Sequence, residues 1–437
     1  MTRTDPFEDL AVLDTPAPAL SIDEARSLAL RSFGIDGDVS SLVSERDQNF
    51  RVDAGDDRSY VLKIANPAEH PELLAFQAAA LRHIEAQSPM LPVPRVVPAL
   101  DGHDLASIDS GGRRCRARVV TFLEGRPLAE SEPGPVLRRD IGVVLARLGQ
   151  ALSGLHLRPP GRTLLWDLSH AGRLKALVRH IDDPSVRQLV TGVLDDFETR
   201  AVPWLPSLRT QVIHNDFNRD NLLVRSDDRH PIGGIIDFGD MVRAPLVNDL
   251  AIATAYQLIG EPDPISAAAD LINGYAHVRP LVDEEISILY ELVAARMAQS
   301  LTIGAWRASL HPENTEYILT DQGAFRDALA RWRTRDRDDV TGSLRAACGL
   351  PDRRAAATGL LRNAPLVERR RESLGPALRL SYDVPLHIVR GEGVWLYDAE
   401  GRAFLDAYNN VASVGHGHPA VVAALMRQAR TLNTNTR

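Results

Sequence analysis

His214-Asn215-Asp216-Phe217-Asn218-Arg219-Asp220-Asn221, soon followed by Gly234-Ile235-Ile236-Asp237-Phe238-Gly239-Asp240, decides how this chain is read. The first stretch fits H-x-D-x-x-x-x-N, a loop with a carboxylate near its start and an amide at its far end. The second puts Asp237 at the end of a short apolar strand. Phosphoryl transfer asks a protein for a cation on the phosphates, ligands for a divalent ion, and a carboxylate near the attacking hydroxyl. Asp216 is read as the group facing that hydroxyl. Asn221 and Asp237 are read as Mg²⁺ ligands, and His214 as a brace for the loop. Magnesium takes few carboxylates and fills its shell with phosphate oxygens and water, which suits one Asn and one Asp.

Working upstream, Lys63 lies in Tyr60-Val61-Leu62-Lys63-Ile64, an apolar strand that would hold its ammonium in place for a phosphate contact. Ser44-Glu45-Arg46-Asp47-Gln48-Asn49 is the turn where a nucleotide-covering loop would sit, and it has no glycine. Singly, each piece has an ordinary reading: a surface lysine, a turn with a capping Asp. A lysine in an early strand, then the Asp/Asn loop, then a strand ending in Asp-Phe-Gly is the kinase order.

The surroundings divide in two. Ser21-Ile22-Asp23-Glu24 reads as a capping box opening a helix that Gly34 ends. Val39–Val43, Phe50–Asp53, Ser59–Ala65, Arg95–Leu100 and Arg116–Phe122 read as strands, Pro71–Ala86 as a helix, and Gly55-Asp56-Asp57 as a turn. From Pro135 the pattern is helical, including Ile141–Leu155, Val186–Glu198 and most of Leu246–Thr334. Asn221–Val224 and Gly234–Ile236 form a small hairpin within it. The expected fold is α+β: a tail (1–20), a β-rich lobe (21–122), a larger helical lobe (123–335), a linker (336–378) and a further segment (379–437). A cleft between lobes is the expected ligand site.

Composition sets bounds on this. The 437 residues are 44% hydrophobic and 25% charged with formal net charge -8, ordinary for a globular chain and not suited to nucleic acid. Cys115 and Cys348 are too few for a disulfide framework, and the N-terminus has no apolar signal-peptide core. No apolar run is long enough for a membrane span. A reducing cytoplasm is expected; oligomeric state is left open.

Residues 21–335 resemble the aminoglycoside phosphotransferase and choline kinase-like family, closest to its hydroxylysine kinase branch. The resemblance is carried by Asp47-Gln48-Asn49-Phe50, Tyr60–Ile64, Leu123-Glu124-Gly125-Arg126-Pro127, the Asp216 loop, Gly234–Met241, Gln299-Ser300-Leu301 and His311-Pro312-Glu313-Asn314. It implies a bilobal protein-kinase-like fold, ATP or GTP with Mg²⁺, and a small amino alcohol as acceptor. It places the nucleotide near Asn49, Lys63 and the connector Thr121-Phe122-Leu123. Where many members carry a glutamate to pair the lysine, this sequence has Gln77, with Glu72 as the alternative. Asp249 is expected to brace the metal loop. Asn218, Asp240, Asp263 and Glu291 are candidates for the acceptor side, Arg296 for an acceptor carboxylate, and Trp306 for the core. An aminoglycoside acceptor and a catalytically silent nucleotide-binding module are the alternatives. The intact Asp216, Asn221 and Asp237 speak against the second.

Residues 379–437 resemble the start of a class III pyridoxal-phosphate aminotransferase, nearest its amino-alcohol phosphate phospholyases. Gly391-Glu392-Gly393, Leu396-Tyr397-Asp398, Asn409-Asn410-Val411, Gly415-His416-Gly417-His418-Pro419 and Leu432–Arg437 carry the likeness. A hairpin across Asp398–Gly401 and a helix opening at Pro419 are expected, and the pair His416/His418 lacks the further ligands zinc needs. The segment is expected to be incomplete, without PLP or PLP activity. A phospholyase removes phosphate from the carbon next to an amine-bearing one, so its likeness beside a kinase points to a 1,2-amino alcohol such as 5-hydroxylysine or ethanolamine.

Overall fold

The structure is a computed structural model of the chain. It describes residues 15–44, 46–55, 58–110, 112–157, 159, 164–225, 231–350, 363–374, 386–399, 401–407 and 413–431. The expectations at 1–14, Glu45, Asp56-Asp57, Asn409–Val411 and Leu432–Arg437 lie outside these. Two compact units are present, Met1–Cys348 and Gly349–Arg437.

The first unit opens with helix α1 (Ile22–Phe33). Ser21 and Glu24 close a reciprocal capping box, and Gly34 ends the helix in the left-handed conformation at φ 67. A six-stranded antiparallel sheet follows: β1 (Asp38–Leu42), β2 (Gln48–Asp53), β3 (Ser59–Ile64), β4 (Val96–Val97), β5 (Ala106–Ser110) and β6 (Arg113–Thr121). Strands run in the order β1-β2-β3-β6-β4, with β5 also on β6. Alternation sends Leu62 and Ile64 into a core with Phe50, Val52 and Val119, so Lys63 faces the other way. Helix α2 (Pro71–Gln87) begins with proline in its first turn. The expected strand Arg95–Leu100 contracts to β4. Strand β5 forms between the expected strands Arg95–Leu100 and Arg116–Phe122, with Ala106 turned inward by period-two alternation too short to stand out between Gly, His and Asp.

The larger lobe holds β7 (Arg126–Pro127), helices α3 (Pro135–Ala151) and α4 (Pro184–Asp196), then β8 (Thr210–Ile213), β9 (Leu222–Val224), β10 (Ile232–Ile235) and β11 (Val242–Pro245). The expected hairpin is the antiparallel pair β9–β10, with β7 beside β9. The pair β8–β11 was not expected, because each strand has only four residues and no turn signal joins them. Helices α5 (Val247–Gln257), α6 (Pro264–Val278), α7 (Asp283–Leu310) and α8 (Gln322–Arg333) complete the core. Helix α7 is buried along nearly its whole length, as expected of a helix apolar on several faces. The expected linker starts later than 336: α9 (Arg337–Ala347) packs on α6 and α7, with Val340 and Leu344 fully buried.

In the second unit, α10 (Asn363–Leu374) precedes an antiparallel meander of β12 (Ile388–Glu392), β13 (Trp395–Asp398) and β14 (Ala403–Leu405). β13 and β14 form the expected antiparallel pair, and α11 (Pro419–Thr431) starts at the proline. His416 is bonded through Nε2 to Asp406 Oδ2 at 2.7 Å. Among the described residues, no helix is long and apolar enough to cross a membrane.

Candidate active site

Strand β8 delivers the chain into His214-Asn215-Asp216. Asn215 (φ 66) and Asp237 (φ 59) are the only non-glycine residues with positive φ among those described, and both sit here. Such backbone costs on the order of 1–3 kcal/mol and persists only where the surroundings impose it. Asp249, from α5, supplies that constraint: its carboxylate accepts the N–H groups of His214 (2.9 Å) and Asn215 (2.7 Å). Burial pushes its pKa up, against the pull of His214 and these N–H groups. His214 is fully buried against the ring edges of Phe217 and Phe238. Its Nδ1 accepts the Asp216 N–H at 3.3 Å, so Nε2 carries the proton and donates to Ile236 O at 3.0 Å. Burial lowers its pKa and keeps it neutral.

The Asp216 carboxylate is held on both oxygens. Oδ2 accepts Nδ2 of Asn218 (3.0 Å) and of Asn221 (2.8 Å); Oδ1 accepts Arg296 Nη2 (3.2 Å). Burial pushes the Asp216 carboxyl up to about 7; Arg296 opposes this, and Asp240 and Asp237 add to it. Because Asn221 spends its NH₂ on Asp216, its amide oxygen is left to accept or coordinate. Ile236 N–H donates to Asn221 O at 2.9 Å, tying the two loops together.

Asp237 follows β10. Its Oδ1 accepts the Gly239 N–H at 3.1 Å, and a Cβ on Gly239 would meet that oxygen at 2.9 Å. Burial opposes its ionisation, but Lys63, then Arg46 and the Gly239 N–H, hold its carboxyl below the usual range. Arg46 Nη2 donates to Asp240 Oδ1 at 3.2 Å, joining the β1–β2 loop to the Asp237 loop. A cavity of about 100 Å³ lies between the lobes, lined in part by Asn49, Lys63, Gln77, Arg118 and Asp237. Asn49 Oδ1, Gln77 Oε1 and Arg118 Nη1 are buried there without a hydrogen-bond partner. Buried polar atoms are nearly always satisfied, so these fit a polar ligand. Among the described residues no group of three or more His, Cys, Asp or Glu is gathered for a metal. One Asn and one Asp instead fit an ion that shares its shell with phosphate and water. A larger hollow of about 980 Å³ beside α1 and α2 contains none of these groups.

Residues 38–285 match the phosphotransferase enzyme family. The chain belongs to that family. It is accordingly a phosphotransferase acting on an alcohol group. Hydroxylysine kinase of Danio rerio is 30% identical over 332 residues, spanning 72% of this chain and 92% of the relative. An aminopropanol kinase associated with a microcompartment matches the fold with a TM-score of 0.57 at 20% identity, over 72% of this chain and 98% of that one. Amicoumacin kinase, solved in complex with AMP-PNP, Ca²⁺ and Ami, matches with a TM-score of 0.54 at 16% identity, over 70% of this chain and 92% of that one. These likenesses show the bilobal kinase-like fold. Residues 379–436 match class III aminotransferases. An alanine–glyoxylate aminotransferase 2-like protein of Drosophila melanogaster is 44% identical over 82 residues, 18% of this chain and 17% of the relative. A Schiff-base lysine would be needed to hold PLP. The phosphotransferase has only two lysines, Lys63 and Lys175, so the C-terminal segment supplies none.

Several expected residues lie elsewhere or are otherwise engaged. Gln77 does not pair with Lys63; its Nε2 donates to Gly239 O at 3.2 Å, fastening α2 to the Asp237 loop. Glu72 is solvent-exposed near His70. Arg296 is 1% exposed and already bonded to Asp216, Tyr256 OH, Trp166 O and Gln299 Oε1, with its guanidinium over the Trp166 and Tyr256 rings. It is therefore not an open cation for an acceptor carboxylate. Asn218 spends its amide oxygen on the N–H groups of Asp220 and Asn221, within its own loop. Glu291 is buried in an ion pair with Arg337 that fastens α9 to α7. Asp263 caps α6, and Trp306 is in the core. At the connector, Thr121 Oγ1 accepts Arg95 N–H and Phe122 N–H donates to Ser59 O, while Phe122 and Leu123 stay half-buried. Arg46, Arg118, Trp166 and Tyr256 were missed. Only pairing across strands and helices brings them to the site.

Proposed function

We propose that the chain moves the γ-phosphoryl group of ATP or GTP to the hydroxyl of a small amino alcohol, of the 5-hydroxylysine or ethanolamine kind. The observation that carries this is the Asp216 carboxylate, fixed on both oxygens and tied through Asn221 to the Asp237 loop. Lys63 holds phosphate; Asn221 through its amide oxygen and Asp237 through its carboxylate hold the divalent ion. When bound, that ion neutralises charge on the phosphate oxygens. Asp216 accepts the hydrogen bond of the acceptor hydroxyl and takes its proton as the new O–P bond forms and the bond from the γ-phosphorus to the bridging oxygen breaks, releasing the nucleoside diphosphate. Arg296 keeps Asp216 aimed and favours its charged form, acting as a positioning residue. Tyr256 and Trp166, half-buried beside Arg296, wall the acceptor side, while Asp240 is engaged by Arg46.

The relatives support the acceptor class: a hydroxylysine kinase and an aminopropanol kinase both take small hydroxylated amines by name. A Mg²⁺-dependent coupled assay of nucleotide consumption should give turnover with hydroxylysine or ethanolamine and little with kanamycin. Turnover with kanamycin alone would move the assignment to antibiotic modification, and none with any acceptor would refute it. Arg296→Met should lower kcat about 10- to 100-fold while leaving the nucleotide Kd unchanged, the loss expected for one charge-assisted hydrogen bond. Equal loss in both would mean a structural role only.

A further inference from the structure

Lys63 on β3 and Arg118 on β6 are direct cross-strand partners, so both side chains leave the same face of the sheet. Asn49 on β2 is the partner of Lys63 on its other side. Like charges directly opposite repel, so an adjacent Lys and Arg need a reason. Among the described residues neither one has a hydrogen bond or an ion pair to a protein group. Arg118 Nη1 is buried with no partner, and so is Asn49 Oδ1. Burial acts against the charge of Arg118, and only the more distant carboxylates of Asp47, Asp237 and Glu69 support it. All of these groups line the same cavity. The sequence between β1 and β2 has no glycine, the residue from which glycine-rich loops build their phosphate-binding backbone N–H cradle. An anion of several charges would relieve every one of these tensions at once.

We infer that Arg118 is a second phosphate-holding cation, which shares the polyphosphate of the nucleotide with Lys63 and makes up for the missing glycine-rich cover. This rests on the nucleotide reading above. Arg118 offers a planar fork of donors to phosphate oxygens, while Lys63 offers a point charge. A role confined to the phosphates predicts that affinity for the nucleoside alone does not depend on Arg118.

The test is calorimetric titration of the full chain and its Arg118→Met variant. The probes are ATP and GTP with Mg²⁺, adenosine and guanosine, and inorganic tripolyphosphate. The variant should bind the preferred triphosphate and tripolyphosphate about tenfold or more weakly, the loss of one charge-assisted contact, and the nucleoside within about twofold. Arg118→Lys, which keeps the charge, should retain most tripolyphosphate binding and serves if the Met variant does not fold. Equal triphosphate affinity in Arg118→Met and the unaltered chain overturns the inference alone. A Lys variant as weak as the Met variant also overturns a charge-based role. An unaltered chain that binds neither ATP nor GTP overturns the nucleotide reading and this inference with it.

Discussion

The two units of this chain use the same residue types for opposite outcomes. In the first, Leu145 on α3 is 1% exposed, and α7 is covered along nearly its whole length. In the second, Val421, Val422, Leu425 and Met426 lie along one side of α11, yet Leu425 is 65% exposed and Trp395 of the meander 43%. The apolar spacing on α11 marks a face meant for burial, and the described residues of its own unit leave it largely exposed. A thirteen-residue helix without a packed face is marginal in water. Pattern names the face of an element; only a partner element makes it a core.

That contrast can be broken by measurement. Leu145→Ala should lower the stability of the first unit by about 2–5 kcal/mol, since it leaves a cavity in a packed site. Denaturant unfolding followed by kinase activity would report it. Glu291→Gln should cost about 1–3 kcal/mol by weakening the Arg337 pair, with kcat per folded molecule unchanged. A loss of kcat or a raised acceptor KM would return Glu291 to the acceptor site. Leu425→Ala should change stability by no more than about 0.5 kcal/mol, because its side chain meets mostly solvent. A loss as large as that of Leu145→Ala would mean that the α11 face is covered in solution.

The loops proposed to carry catalysis were legible because their signals are local. His214, Asp216 and Asn221 lie within one loop, and Asp237 ends a strand whose apolar run is visible in the sequence. The Ser21–Glu24 cap and the Pro419 helix start are local too. What failed depends on distance along the chain. Gln77 meets Gly239, Arg46 meets Asp240 and Arg296 meets Asp216 through contacts that span 162, 194 and 80 residues. A lone Arg296 or Glu291 in an apolar helix says that a partner exists without saying which, and each proved to be engaged by another protein side chain. Arg118 was overlooked because a strand of Arg113-Arg114-Cys115-Arg116-Ala117-Arg118 reads as a solvated edge. Only the register with β3 shows that Arg118 stands beside Lys63.

Single-turnover phosphate transfer by Asp216→Asn, set beside its nucleotide affinity, is the most direct test. Asparagine keeps the shape of the group and loses its charge and basicity. Transfer to the amino alcohol should fall by about a thousandfold, at the middle of the range for removing a general base, with the nucleotide Kd within about twofold. Transfer at the original rate would mean that Asp216 neither orients nor deprotonates the hydroxyl, and the site built around it would lose its function.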